Sequence, residues 1–156
     1  MISIHIPDFG SLELHHLVLD YNGTLAVDGH LITGVDTRLT ALSEKLTIHV
    51  VTADTFGKAA EALHALPCAL TILPQGRQDQ AKLNYIEKLG LSQTAAMGNG
   101  RNDRHMLKQA ALGVVVLLQE GAAADTLAAA DVVCRQITDA LDLLLHPRRL
   151  VATLRS

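Results

Sequence analysis

Asp20 closes the apolar run Leu17-Val18-Leu19 and is followed at once by Asn22-Gly23 and Thr24. A carboxylate at the tip of a buried strand has to be paired, metal-bound or hydrogen-bonded, so it is either a cap or a reagent. As a reagent, a carboxylate acts as a nucleophile that forms a covalent intermediate. Two further polar points follow strand-like runs: Thr52 at the end of LTIHVVT, and GNGRND at 98–103 after TAAM. Lys82 falls between them near the start of a helical pattern. Taken singly, each has a structural reading: DYNG as a turn with an Asx cap, Thr52 or Asp54 as helix caps, Lys82 as a solvated lysine with Arg77 as a weaker rival, and Asn102 or Asp103 as the cap of the next helix. Independent turns do not readily produce this order, with three of the four points falling at strand ends.

The elements that must position these residues alternate. ISIHI and LELHHLVLD, joined by a Pro-Asp-Phe-Gly turn, predict a hairpin whose second arm becomes the strand ending at Asp20. TLAVDGHLI places Asp28-Gly29 between two short β-like runs, a second hairpin. The spacing then predicts a helix from about Asp36 to Lys45, a strand stopping at Thr52, and a helix over TFGKAAEALHAL closed by Pro67. A strand over CALTIL and a helix over RQDQAKLNYIEKLG follow. The rest continues with a strand into GNG, a helix near Asp103 to Ala110, a strand over LGVVVL, a helix after Gly121, a strand over DVVC and a helix over ITDALDLLL. No element is assigned to HPRRLVATLRS. Strands alternating with helices imply βαβ units, hence an α/β fold with a doubly wound, mostly parallel sheet. Ligands in such sheets bind beyond the carboxyl ends of the strands, where Asp20, Thr52 and GNGRND fall.

Composition limits the alternatives. The 156 residues, 49% hydrophobic and 19% charged, suit one globular domain spanning 1–156. A net charge of -3 and 3% aromatic residues give no basic footprint and few stacking platforms, which argues against nucleic acid as a partner. Cys68 and Cys134 lack metal-ligand spacing and read as buried free thiols. MISIHIPDFG lacks the features of a signal peptide, and no apolar run approaches the ~18 residues of a membrane span, so a cytoplasmic protein without membrane association is expected. Of the eight histidines, His15-His16 point to opposite faces of a strand and no i, i+4 pair stands on a helix, which disfavours zinc. His30, at the hairpin tip, is a candidate substrate contact.

The four points together resemble the motifs of the haloacid dehalogenase superfamily, across most of the chain. DYNGT resembles its first motif, Thr52 in VVTAD its second, Lys82 in DQAKLNYI its third and GNGRND its acidic fourth. Within the superfamily the sequence is most similar to the phosphorylation domain of P-type ATPases and its small soluble relatives. The resemblance implies a Rossmann-like core and phosphoryl transfer, in which positioning and charge neutralisation dominate. Asp20 would be the nucleophile, and Mg²⁺ would bridge its carboxylate and the phosphoryl group. Thr52 and Lys82 would hold the phosphoryl oxygens, with Gly23, Thr24 and Ala53 completing a phosphate cradle. Asp20, Asn22, Asn99 and Asp103 would form the metal site, supported by Asn102.

Two departures from the family pattern stand out. Asn22 occupies the place of an acid/base Asp, and an amide cannot exchange a proton at neutral pH, so a factor of roughly 10²–10⁴ in rate is absent. Asn99 occupies the place of an acidic metal ligand. About thirty residues separate Asp20 from Thr52, and about thirty separate Thr52 from Lys82, which leaves no space for a cap domain. Only the TLAVDGHLI hairpin is available as a flap. A homo-oligomer, dimer or tetramer, is expected to cover the open site, aided by the apolar N-terminal hairpin. Two functions follow: a slow Mg²⁺-dependent phosphatase or phosphotransferase acting on a phosphorylated substrate, or a degenerate relative that binds phosphate or a protein partner without turnover.

Overall fold

The computed structural model describes residues 1–54 and 57–156. β1 (Ile2–Ile6) and β2 (Gly10–Leu14) form an antiparallel hairpin, β3 (His16–Leu19) leads into Asp20, and β4 (Ala26–Val27) with β5 (His30–Leu31) forms a second hairpin. Then come α1 (Val35–Ser43), β6 (Thr47–Thr52), α2 (Ala59–Leu63), β7 (Ala69–Ile72), α3 (Gln78–Leu89) and β8 (Thr94–Gly98). The chain finishes with α4 (Arg104–Gln109), β9 (Leu112–Val116), α5 (Ala124–Ala129), β10 (Val132–Cys134), α6 (Ile137–Leu145) and α7 (Pro147–Leu154).

Six strands form one parallel sheet in the order β10-β9-β8-β3-β6-β7. The chain winds outward from β3 through β6 and β7, crosses back along α3, and winds outward again through β8, β9 and β10. This reversal beside β3 is the switch point at which α/β sheets open a crevice. Alternate strand residues serve the two faces. Leu17, Leu19, Ile48, Val50, Met97 and Val114 pack beneath α1, α2, α6, α7 and the N-terminal hairpin, whereas Val18, Val51, Ala96 and Val115 pack against Ile86, Met106 and Leu107 of α3 and α4. Burial on both sides explains the unbroken apolar runs of β3, β8 and β9.

Four sequence expectations are revised. The second arm of the N-terminal hairpin does not continue to Asp20: β2 ends at Leu14, and β3 begins at His16 in the other sheet. His15 makes the break, donating to Gln93 O at 2.9 Å and accepting from Thr47 N–H at 2.9 Å. The hairpin's apolar face, Ile2, Ile4, Ile6, Leu12 and Leu14, is buried in this chain's own core. The helix expected over TFGKAAEALHAL is short, covering Ala59–Leu63; Thr55 and Phe56 of that stretch lie outside the described residues. Asp54 ties its start, its Oδ1 accepting from the N–H groups of Lys58 at 3.0 Å and Ala59 at 3.1 Å. The tail forms α7, with Pro147 in its first turn, where a missing N–H costs nothing, and with Leu150 buried. Finally, Cys68 and Cys134 are free but only half-buried.

Candidate active site

Each polar point sits where a strand of the central sheet ends. β3, flanked by β6 and β8, delivers Asp20, β6 ends on Thr52, and β8 runs into Asn99. Lys82 comes from the opposite direction, one turn into α3. It lies on the same helical face as Ile86, four residues on, and both are fully buried. The apolar packing of α3 therefore drives an ammonium group to the strand ends.

There Lys82 Nζ stands 2.7 Å from Asp20 Oδ1 and 2.6 Å from Asp103 Oδ1. A buried cation with two carboxylate partners satisfies the pairing requirement that the sequence raised for Asp20. Burial pushes the Asp20 carboxyl up to about 6; Lys82 draws it down, while the nearby Asp103 charge adds to the rise. Burial also works against the Lys82 ammonium, but Asp103 and Asp20 outweigh it and hold its pKa above the ordinary lysine value. The site thus keeps a fixed positive charge beside its nucleophile candidate.

Asp103, expected among the metal ligands, is turned toward Lys82 and its own loop. Its second oxygen, Oδ2, accepts from the main-chain N–H groups of Asn99 at 3.0 Å and Gly100 at 2.9 Å, and the residue is fully buried. With both oxygens engaged, it ties the 98–103 loop to Lys82 instead of facing the cavity. Gly98 makes room for this, because a Cβ there would lie 2.4 Å from Asp103 Cγ.

The phosphate cradle also differs from expectation. Gly23 N–H donates to Ala26 O at 2.8 Å and Thr24 N–H to Tyr21 O at 3.2 Å, so both amides close the turn after Asp20 instead of facing a ligand. The Thr24 hydroxyl, fully buried, donates to Asn99 Oδ1 at 3.3 Å. Gly23 adopts φ +75°, and a Cβ on it would stand 2.4 Å from Asn99 Nδ2 and 2.7 Å from Glu120 Oε2. Its role is close approach of two neighbouring side chains. Tyr21 is buried and its hydroxyl donates to Gly29 O at 3.0 Å, which fastens the β4–β5 flap to the core.

What remains is a polar cavity of roughly 170 Å³ lined by Asp20, Asn22, Thr52, Ala53, Gln78, Asn99, Gly100, Asn102 and Glu120. With a water occupying about 30 Å³ of liquid, this holds a phosphoryl group with a few waters. Thr52 Oγ1 accepts from Asp54 N–H at 3.0 Å, which leaves its own proton free to donate. Asn102 donates through Nδ2 to Gln78 Oε1 at 3.0 Å, joining the loop to the start of α3. Both polar side-chain atoms of Asn22 are buried without a hydrogen-bond partner among the described residues. An orphaned amide in a cavity with carboxylate, amide and hydroxyl oxygens is the donor set that a hard oxygen-seeking cation takes. Gln78 and Glu120 were not anticipated. His30 lines a different cavity, with Lys58 and Glu61, its Nε2 3.5 Å from Lys58 Nζ.

A parallel sheet with a nucleophile candidate, a buried lysine and a polar cavity at the carboxyl ends of adjacent strands defines an α/β enzyme site. Residues 51–140 match the haloacid dehalogenase-like hydrolase family, a span that contains Thr52, Lys82, Asn99 and Asp103 and follows Asp20. The chain belongs to that family and is a hydrolase. The uncharacterized protein MJ0073 of Methanocaldococcus jannaschii is 44% identical over 84 residues, 51% of this chain and 90% of that protein. Among solved structures, the fold is similar to 3-deoxy-D-manno-octulosonate 8-phosphate phosphatase of Moraxella catarrhalis in complex with magnesium, phosphate and KDO. That likeness has a TM-score of 0.69 at 19% identity and covers 92% of this chain and 94% of the other. The cobalt-bound form of the corresponding Haemophilus influenzae phosphatase gives a TM-score of 0.67 at 13% identity, covering 92% and 94%. A phosphoserine phosphatase in its apo form gives 0.66 at 15% identity, covering 84% and 99%.

Proposed function

We propose that the chain is a Mg²⁺-dependent phosphatase that forms an aspartyl phosphate on Asp20. The observation that carries this reading is the buried Lys82 ammonium, 2.7 Å from an Asp20 carboxylate at the mouth of a phosphate-sized cavity. Metal-bound phosphatases of the same fold support the choice of cation. Asp20, the main-chain oxygen of Asn22 and the side-chain oxygen of Asn99 would hold Mg²⁺. When bound, the ion neutralises phosphoryl charge and orients the group for in-line displacement.

The chain's own residues supply the rest. An Asp20 carboxylate oxygen attacks the phosphorus of a phosphomonoester, a P–O bond to Asp20 forms, and the bond to the leaving oxygen breaks. Lys82 cancels the repulsion between that carboxylate and the incoming anion, and Thr52 donates its hydroxyl proton to a phosphoryl oxygen. Asn22 has no proton to give, so the leaving oxygen takes one from water, which favours substrates whose leaving groups depart as anions. Water then attacks the acyl phosphate, the P–O bond to Asp20 breaks, and inorganic phosphate leaves with the Asp20 carboxylate restored. Without an acid/base side chain at position 22 this second step is slow.

The test is a panel of aryl, acyl and alkyl phosphates assayed with Mg²⁺ and with chelator, alongside Asp20→Ala as the contamination control. Magnesium-dependent release of phosphate that disappears in Asp20→Ala supports the reading. Release that survives the substitution, or none from any phosphate ester or anhydride, contradicts it.

A further inference from the structure

Asn99 leaves the candidate cation site one carboxylate short of the family pattern, and the structure brings another side chain to the same place. Glu120 lines the cavity of Asp20, Asn22 and Asn99, and its Oε2 stands over Gly23, one residue from Asn22. It takes no part in the ion pairs among the described residues. The unpartnered amide of Asn22 lies buried in the same cavity.

Glu120 is carried by a tight turn in which Gly121 N–H donates to Leu118 O at 2.9 Å. Asn99 grips that turn from two sides. Its Nδ2 donates to Gly121 O at 3.0 Å, and its main-chain oxygen accepts from Ala123 N–H at 3.0 Å. A carbonyl oxygen can only accept, so the group facing Gly121 O must be a donor, which an ionised aspartate is not. An aspartate at position 99 would lose this tie and set a carboxylate against a carbonyl.

We propose that Glu120 is an acidic ligand of the divalent-cation site. On this account Asn99 is an amide because its NH₂ group holds the turn that presents Glu120, so the carboxylate absent from position 99 has moved to position 120. Asp20 and Glu120 then face the cation together, while Asp103 stays engaged with Lys82 and the loop. Magnesium sites rely on one or two carboxylates completed by phosphate and water, and this pair meets that requirement.

This inference rests on the phosphatase reading for the identity of the cation, but its test does not depend on turnover. Binding of Mn²⁺ to the full chain would be measured by electron paramagnetic resonance, with competition by Mg²⁺, for wild type, Glu120→Gln, Asn99→Asp and the double variant. Glu120→Gln should weaken binding about tenfold or more, because ligand charge count sets affinity at oxygen sites. Asn99→Asp combined with Glu120→Gln should recover much of the loss by returning a carboxylate to position 99. Thermal unfolding checks that Glu120→Gln, an exposed position, leaves the fold intact. Unchanged Mn²⁺ affinity in Glu120→Gln overturns the proposal, and so does a wild-type chain that binds no Mn²⁺. A wild-type chain that binds Mn²⁺ through Glu120 yet transfers no phosphoryl group keeps the ligand and removes the phosphatase.

Discussion

Lys82 Nζ lies 2.7 Å from Asp20 Oδ1, with no exposed surface on the lysine side chain. On the proposed mechanism this pair couples stability to chemistry, since the charge that would activate Asp20 also makes its burial tolerable. Lys82→Ala leaves Asp20 and Asp103 facing each other without a cation, a change that costs about 3–5 kcal/mol at a buried pair. Without Lys82 the buried Asp20 carboxyl loses the charge that draws its pKa down, so the penalty is small in acid and grows as Asp20 ionises. Urea unfolding at pH 5 and pH 8 should therefore show the larger loss at pH 8.

In the proposed reaction Asp20 must be ionised to attack phosphorus, and its carboxyl is raised to about 6 by burial. The kcat/KM of the wild type should fall on the acid side with an apparent pKa near that value, since kcat/KM reports the free enzyme. Raising Mg²⁺ should move the limb to lower pH, because a nearby cation favours the carboxylate. A limb that does not respond to Mg²⁺ would assign the titration to another group.

Gly23 and Gly121 separate backbone strain from crowding. Both have positive φ, +75° and +73°, but a Cβ on Gly23 meets Asn99 and Glu120, whereas one on Gly121 meets nothing within 4 Å. Alanine at either position should cost about 1–3 kcal/mol through backbone strain. Only Gly23→Ala should also displace Asn99 and Glu120. Comparison of the two by thermal unfolding and Mn²⁺ titration should show the larger stability loss, and the loss of metal binding, in Gly23→Ala.

The sheet was legible in the sequence because burial on both faces writes continuous apolar runs, and the candidate site residues fall where those runs stop. Individual groups were less legible. Gly23 and Thr24 looked like a cradle because a sequence does not show that their amides close a turn onto Ala26 and Tyr21. Asp103 looked like a ligand because its two oxygens are claimed by Lys82 and by the loop only once α3 has docked. Glu120 carried no local signal, since its position depends on a long-range tie from Asn99 to Gly121. No element was assigned to the tail, although Leu150, Val151 and Leu154 have helical spacing and Pro147 is tolerated in the first turn of the helix it begins. The chain His16-His49-Tyr85, with contacts of 3.2 Å and 3.0 Å, likewise joins residues from two strands and a helix that no spacing rule links.

Asn22→Asp tests the missing proton carrier. The variant should accelerate alkyl phosphate hydrolysis by about 10²-fold or more, because an alkoxide needs an acid to depart, and aryl phosphate transfer much less. Pre-steady-state kinetics on one ester of each kind at saturating Mg²⁺ provides the check. Equal rates for both proteins on both esters would mean that proton transfer is not the limiting feature.

The most direct test is to catch phosphate on Asp20. Wild-type protein mixed with a radiolabelled acyl or aryl phosphate and Mg²⁺, then quenched in acid within milliseconds to seconds, should carry a label that is stable in acid, is released by hydroxylamine and maps to the peptide containing Asp20. The label should persist longer in wild type than in Asn22→Asp and be absent from Asp20→Ala. A label on another residue, an equal label in Asp20→Ala, or none during demonstrable turnover would contradict an aspartyl phosphate at Asp20.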